Sequence, residues 1–361
     1  MQLFKTYLQN GICIDDSLRN YECEDFYIQK LEYPKNTFTY SYDSLIHEAL
    51  NKLVLIYDVI TCRYFPDYER YQSQCYNIPS ILLEAGLESD FPASKEDLEK
   101  YLGEYSRDKL LLKVVPDLNK FIYVGDCHYL VSSLQNLLEE VDRCFIKFYI
   151  KLAEAGPLDT EIEGCDDGIY WSASSQIRDV HACVENYFIK ANAVLDLFCK
   201  IVYEIENIRD DFSVVPRFKS KDKLWSAKRF LKMNRLPGTI FEECDIINMI
   251  IAIRNQVIHN GTLEIYPKMF YRLQNKQIIE RFILFPDMEG AHFVTFKNRN
   301  HFYHNRHKVN DFLIAVHKEF LNRVLTTAES LLKLYPIDSF YEKRLSIRNK
   351  NVEIIIGMYC C

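Results

Sequence analysis

The sequence predicts a mainly α-helical protein: a helical bundle with a small β insertion, preceded by a mixed, mostly helical N-terminal domain. Three observations carry this. Long stretches repeat apolar residues at helical spacing. Glycine and proline contribute only 11 residues each to a chain of 361, too few for a loop-rich or low-complexity protein. A 48% hydrophobic and 26% charged composition, with 25 Tyr and 23 Phe, supplies a bulky core and excludes disorder and fibrous repeats.

The elements follow in order. Leu45, Ala49, Leu53, Ile56 and Ile60 mark a helix over 43–64. Ser94, with Asp97 three residues on, caps a second and shorter one after Pro92. The β-prone FIYVG at 121–125 predicts a strand ended by a turn. From 127 to 155 a long helix carries Leu130, Leu134, Leu137, Val141, Phe145, Phe148 and Leu152. The polar stretch AGPLDTEIEGCDDG at 155–168 holds three Gly and one Pro and marks the domain boundary. Beyond it a helix of about thirty residues starts near Ser174, its stripe running from Ile177 through Val184 and Phe188 to Val202. A basic loop leads into a short helix, and LPG at 236–238 breaks it. Residues 240–259 form a further helix, ended by Gly261 in HNG. FYRLQNKQIIERFILF and HFVTF give two or three short strands. A last helix over 309–334 repeats Val309, Leu313, Val316, Phe320, Val324 and Leu331, and a tail over 336–361 holds a possible strand.

Net charge is -7, but it is unevenly spread. Residues 1–165 carry 16 Lys and Arg against 28 Asp and Glu, whereas 166–361 carry 28 against 23. This asymmetry predicts two modules, an acidic one over 1–165 for sensing, regulation or partner binding, and a basic one over 170–335 suited to a polyanion. No apolar run nears the roughly 18–20 residues that cross a bilayer, and the first residues lack the apolar stretch of a secretory leader. The 12 Cys are scattered without C-x-x-C spacing, as expected of reduced thiols in a cytoplasm. Cys127-His128 has no partner pair, and His301, His304 and His307 have no neighbouring carboxylate or Cys, so no metal site is expected.

The chemistry-bearing segment is DIINMIIAIRNQVIHNG, 245–261. Ile246, Met249, Ile250, Ile253 and Val257 form a core stripe, with Asn255 and His259 on a neighbouring face. Arg254-Asn255-x-x-x-His259 at the C-terminal end of an apolar helix resembles the signature of the HEPN superfamily, an Arg followed by a polar residue and, four to six positions on, a His. The resemblance covers roughly 170–335, making this a HEPN-like helical domain. A second copy of the pattern, Arg299-Asn300 to His304, follows a strand-like segment and lacks the amphipathic helix.

What the resemblance implies is a metal-independent endoribonuclease that needs no cofactor and cuts RNA through attack of the ribose 2′-hydroxyl. It also implies a homodimer with two motifs facing one cleft, a toxin–antitoxin or anti-phage setting, and an antitoxin or activator protein as a partner. The residue types suit that chemistry. Histidine exchanges a proton near neutral pH, and arginine presents a permanently charged fork to phosphate oxygens. Asn255 lies one turn before His259 and can orient the ring or the phosphate. Arg254 and His259 stand about 140° apart on an ideal helix, so the helix end loosens or two chains share the cleft.

Two basic clusters, Lys219, Lys221, Lys223, Lys228, Arg229 and Lys232, then Arg299 and Arg306, are the candidate RNA contacts, with Trp225, Phe302 and Tyr303 as stacking partners. Plainer roles stay open. Arg254 and His259 could serve only the helix C-terminus, Trp225 could be a core anchor, and His181 a satisfied buried or boundary histidine. A non-catalytic HEPN-like RNA-binding or scaffold protein, partner to another enzyme, is the alternative function.

Overall fold

The computed structural model describes residues 4–15, 27–31, 37–40, 43–157, 162, 164–219 and 224–337. The protein is mainly helical with small antiparallel sheets. No helix among the described residues is long and apolar enough to cross a membrane. Strands β1 (Phe4–Leu8), β2 (Cys13–Asp15), β3 (Tyr27–Leu31) and β4 (Thr37–Tyr40) form one antiparallel sheet in the order β2-β1-β3-β4. Helices α1 (Asp43–Tyr64), α2 (Tyr68–Cys75), α3 (Ser80–Glu84), α4 (Lys95–Tyr105), α5 (Lys109–Val114) and α6 (Leu118–Glu154) follow. After β5 (Gly168–Ser172) comes α7 (Ser175–Glu206), two short 3-10 turns at Trp225–Phe230 and Lys232–Arg235, and α8 (Asp245–Asn260). Strands β6 (Met269–Gln274) and β7 (Gln277–Phe282) join β5 in a second sheet, β8 (Met288–Glu289) pairs with β9 (His292–Phe293), and α9 (Val309–Leu334) follows.

The chain divides into two compact units, one made of 1–50, 136–195 and 237–327, the other of 51–135, 196–236 and 328–361. Each takes segments from both the acidic and the basic half, unlike the expected division at 155–168. Charge patterning reports the surface, whereas the unit boundaries fall within the long helices, so that α1, α6, α7 and α9 each contribute residues to both.

In the first unit, Phe145, Phe148, Leu152, Ile177, Val180, Val184, Phe188, Leu313 and Phe320 are fully buried, as their spacing requires. Burying each such side chain contributes about 1.5–3 kcal/mol. A buried polar chain crosses this core. The His317 ring stacks on Phe145 at 3.9 Å, with Asp142 3.3 Å from its Nε2 and the Tyr187 hydroxyl 3.3 Å from its Nδ1. The turn after β1 is tied to the end of β7. Arg281 N–H donates to the Asn10 carbonyl at 2.8 Å, and Asn310 Nδ2 donates to the Gln9 carbonyl at 2.9 Å. Gly11 is required here twice over, by a φ of +73° and because a Cβ would sit 2.7 Å from the Arg281 carbonyl oxygen. So residues 4–15 share a unit with 237–327 rather than standing in a separate N-terminal module.

In the second unit FIYVG is helical. Residues 121–125 lie in the first turns of α6, with Phe121, Tyr123 and Val124 buried. Tertiary context overrides β-propensity at this point. Asp117 anchors the helix start by accepting from Arg70 Nε at 2.9 Å and Gln74 Nε2 at 2.8 Å, while its N–H donates to Gln74 Oε1 at 3.0 Å. Trp225 is buried as a core anchor, and its backbone N–H donates to Asp196 Oδ1 at 2.8 Å. Most of the 336–361 tail, its expected strand included, lies outside the described residues.

Candidate functional site

The site is built on α8. The helix begins at Asp245, five residues later than the spacing predicts, because Ile240 is drawn into the core, where its N–H donates to Thr327 Oγ1 at 2.9 Å. Its buried line is Ile247, Ile250, Ile253 and Gln256. The expected stripe through Ile246, Met249 and Val257 is therefore displaced by a fraction of a turn; those three side chains are half-buried. The helix stops at Asn260 because Gly261 takes a φ of +103° while its N–H donates to the Val257 carbonyl at 3.2 Å.

That displacement decides what faces solvent. Arg254 is half-buried, and Asn255 and His259 are exposed. Arg254 donates from a terminal guanidinium nitrogen to Asn255 Oδ1 at 3.0 Å, which holds the cation beside the asparagine. His259 sits in the last helical turn, two residues before Gly261. The helix thus carries a half-buried arginine and an exposed amide and imidazole within two turns, on an element whose opposite face is buried.

Gln256 has a role that no motif announces. It is 7% exposed, and its Oε1 accepts from Asn260 Nδ2 at 2.9 Å and from Asn300 Nδ2 at 2.6 Å. Asn300 belongs to the second copy of the pattern. That copy is a loop rather than a helix, and it is pinned to the C-terminal end of α8. Asp287, 3% exposed, holds the same loop by accepting from the His304 N–H at 2.7 Å and the Asn305 N–H at 3.0 Å. Tyr303 in turn donates to Glu264, four residues beyond the end of α8. Burial and that carboxylate push the Tyr303 phenol well above its ordinary pKa, so it remains a donor.

Beside this loop lies a cleft of about 680 Å³ over the β5–β6–β7 sheet. Trp171, Phe270 and Phe282 form one row across the three strands. Lys268, Arg306, Glu264 and Tyr303 rim the cleft, and His181 lies at its wall, its Nε2 3.0 Å from the Lys268 carbonyl. His181 is a satisfied buried histidine, one of the two placements its position beside the stripe suggests, and burial lowers its pKa. Sequence patterning does not announce the aromatic row. Register across three strands is a tertiary property, although the alternation in GIYWS and MFYRLQ could have signalled it.

The basic residues separate. Arg299 and Arg306 are exposed in the first unit, alongside α8. Lys219, Arg229 and Lys232 are exposed in the second, where Lys228 Nζ rests 4.7 Å from the centre of the Trp225 ring. Lys221 and Lys223 lie outside the described residues. Among the described residues no group of three or more His, Cys, Asp or Glu is placed to hold a metal ion. Compared with protein-family models, curated proteins and solved structures, the chain finds no match.

Proposed function

We propose that this protein is a metal-independent endoribonuclease of HEPN type, with Arg254, Asn255 and His259 as its catalytic residues. The observation that carries the reading is the C-terminal turn of α8. It leaves Asn255 and His259 open to solvent, with the half-buried Arg254 bonded to Asn255, on a helix whose opposite face is buried. In the proposed reaction Arg254 holds a non-bridging oxygen of the scissile phosphate and offsets charge as it accumulates. His259 moves a proton, either from the attacking 2′-hydroxyl or onto the departing 5′-oxygen. The products are a 2′,3′-cyclic phosphate and a 5′-hydroxyl.

One helix supplies only one histidine, and such a reaction uses both a base and an acid. A second copy of the chain would provide the other. Ile258, Ile265 and Tyr266, all exposed around the end of α8, are apolar enough to favour such a homodimer. A toxin–antitoxin or anti-phage setting, with an antitoxin or activator protein as partner, belongs to the same proposal and rests on the motif.

The test is incubation of the full chain with total RNA in EDTA, beside His259→Ala. The reading expects fragments with cyclic-phosphate ends from the wild type and at least about a hundredfold less from the variant. Equal cleavage by both would overturn it.

A further inference from the structure

Outside the motif, one feature combines aromatic area, positive charge and an enclosed volume, the face of the β5–β6–β7 sheet. Trp171 pairs with Phe270, and Phe270 with Phe282, in register across the three strands. The Phe270 and Phe282 rings stack at 5.5 Å with 14° between their planes. Ammonium groups rest on both ends of the row, Lys268 Nζ 4.9 Å from the Trp171 ring centre and Lys308 Nζ 4.6 Å from that of Phe282. Lys308 and Arg272 are both paired with Glu280. Lys268 and Arg306, by contrast, form no ion pair with a described residue. Arg306 also holds a left-handed φ of +49°, a strained setting for a residue with a Cβ. The Trp171 side chain is 56% exposed, unusual for the largest apolar residue on a sheet.

A row of aromatic rings on a sheet, its exposed Trp171 end beside two cations that form no ion pair with a described residue, matches a nucleotide whose base displaces the Lys268 ammonium from the Trp171 face. A base gains about 1–3 kcal/mol by stacking on such a ring, and a phosphate supplies Lys268 and Arg306 with the anionic partner that no described carboxylate gives them. The 680 Å³ volume falls within the range of small-ligand clefts, roughly 300–1,000 Å³. We propose that this cleft binds an unpaired nucleotide of the RNA strand, its base against Trp171 and Phe270 and its phosphate between Lys268 and Arg306. This rests on the nuclease reading and gives it a substrate class, single-stranded RNA. Through Asn300 and Gln256 the cleft's loop is fixed to the helix that carries His259, so a nucleotide held there is held relative to the scissile bond. Glu264, the one carboxylate lining the cleft among the described residues, already accepts from Tyr303 and from the Tyr266 N–H, and remains an acceptor for a base amino group.

The chain has two tryptophans, and the other, Trp225, is buried, so quenching of intrinsic fluorescence reports on Trp171. Full-length His259→Ala would be titrated with fluorescein-labelled oligo(U) and oligo(A) 12-mers, a duplex of the two, and AMP. The proposal expects quenching by the single strands and weaker binding of the duplex. It expects a loss of tenfold or more with Trp171→Ala and near-complete recovery with Trp171→Phe. Lys268→Ala and Arg306→Ala should each flatten the slope of log affinity against log salt by roughly 0.7. Binding without quenching, unaffected by Trp171→Ala and Arg306→Ala, would overturn it. Saturable quenching by AMP that the strands neither reproduce nor compete away would overturn the RNA source and leave a free nucleotide as ligand. The two readings fail separately. Unaltered binding and cleavage by Trp171→Ala, with cleavage lost in His259→Ala, would sink the cleft alone. Quenching that needs Trp171, with no cleavage by the wild type, would sink the nuclease alone.

Discussion

Gln256 shows how a single residue joins what the sequence keeps 44 positions apart. It sits between Asn255 and the helix end, and one buried amide oxygen takes hydrogen bonds from both Asn260 and Asn300. Replacing it by Leu keeps the volume but leaves two amide donors without that acceptor. Gln256→Leu should therefore cost about 1–3 kcal/mol in urea unfolding and loosen the 299–304 loop, which hydrogen exchange would register. Wild-type stability and protection would contradict this role. Arg254, Asn255 and His259 are readable because the motif is local and the helix periodicity frames it. Gln256, Asp287 and the Trp171–Phe270–Phe282 row are not, because each acts through partners that only folding brings near.

Among the elements, α4 and α6 differ in how much of them is local. The capping box of α4 is complete, with the Asp97 N–H donating to Ser94 Oγ at 3.0 Å and the Ser94 N–H to Asp97 Oδ2 at 3.0 Å. It is legible from two residues, and the Ser94 hydroxyl and N–H, both donating to the Asp97 carboxylate, hold it below its ordinary pKa. Ser94→Ala should cost about 1 kcal/mol of stability by denaturant titration. The start of α6 reads as a strand because Phe121, Ile122, Tyr123 and Val124 favour β structure, while the buried surface they complete belongs to a helix. One turn further along, burial of the His128 ring pulls its pKa down to about 4, with Thr61 Oγ1 at 3.0 Å and the Tyr57 carbonyl at 3.1 Å from Nε2. A histidine kept neutral in the fold adds stability that is fully present above its unfolded pKa of about 6.5. That stability is lost as pH falls from there toward 4, by roughly 1.4 kcal/mol for each pH unit crossed. Urea midpoints at pH 7, 5.5 and 4 should fall more steeply for the wild type than for His128→Gln. Parallel curves would contradict the assignment.

For the whole molecule, composition separates an acidic half from a basic half, yet each compact unit draws on both. The helical class and the extent of α1 and α9 follow from periodicity, since 3.6-residue repeats survive whatever packs against them, and the β insertion follows from short β-prone runs. The partition into units does not, because four long helices serve both. The proposed activity is likewise a property of the whole chain. A dimer of the full chain should form through the end of α8, and Ile258→Glu, which places a charge on that exposed apolar surface, should shift it toward monomer in light scattering and lower cleavage in step. The most direct measurement remains RNA cleavage in EDTA by wild type and His259→Ala. Cyclic-phosphate ends from the wild type alone are the expected result, and equal fragmentation by both proteins would remove the site from the end of α8.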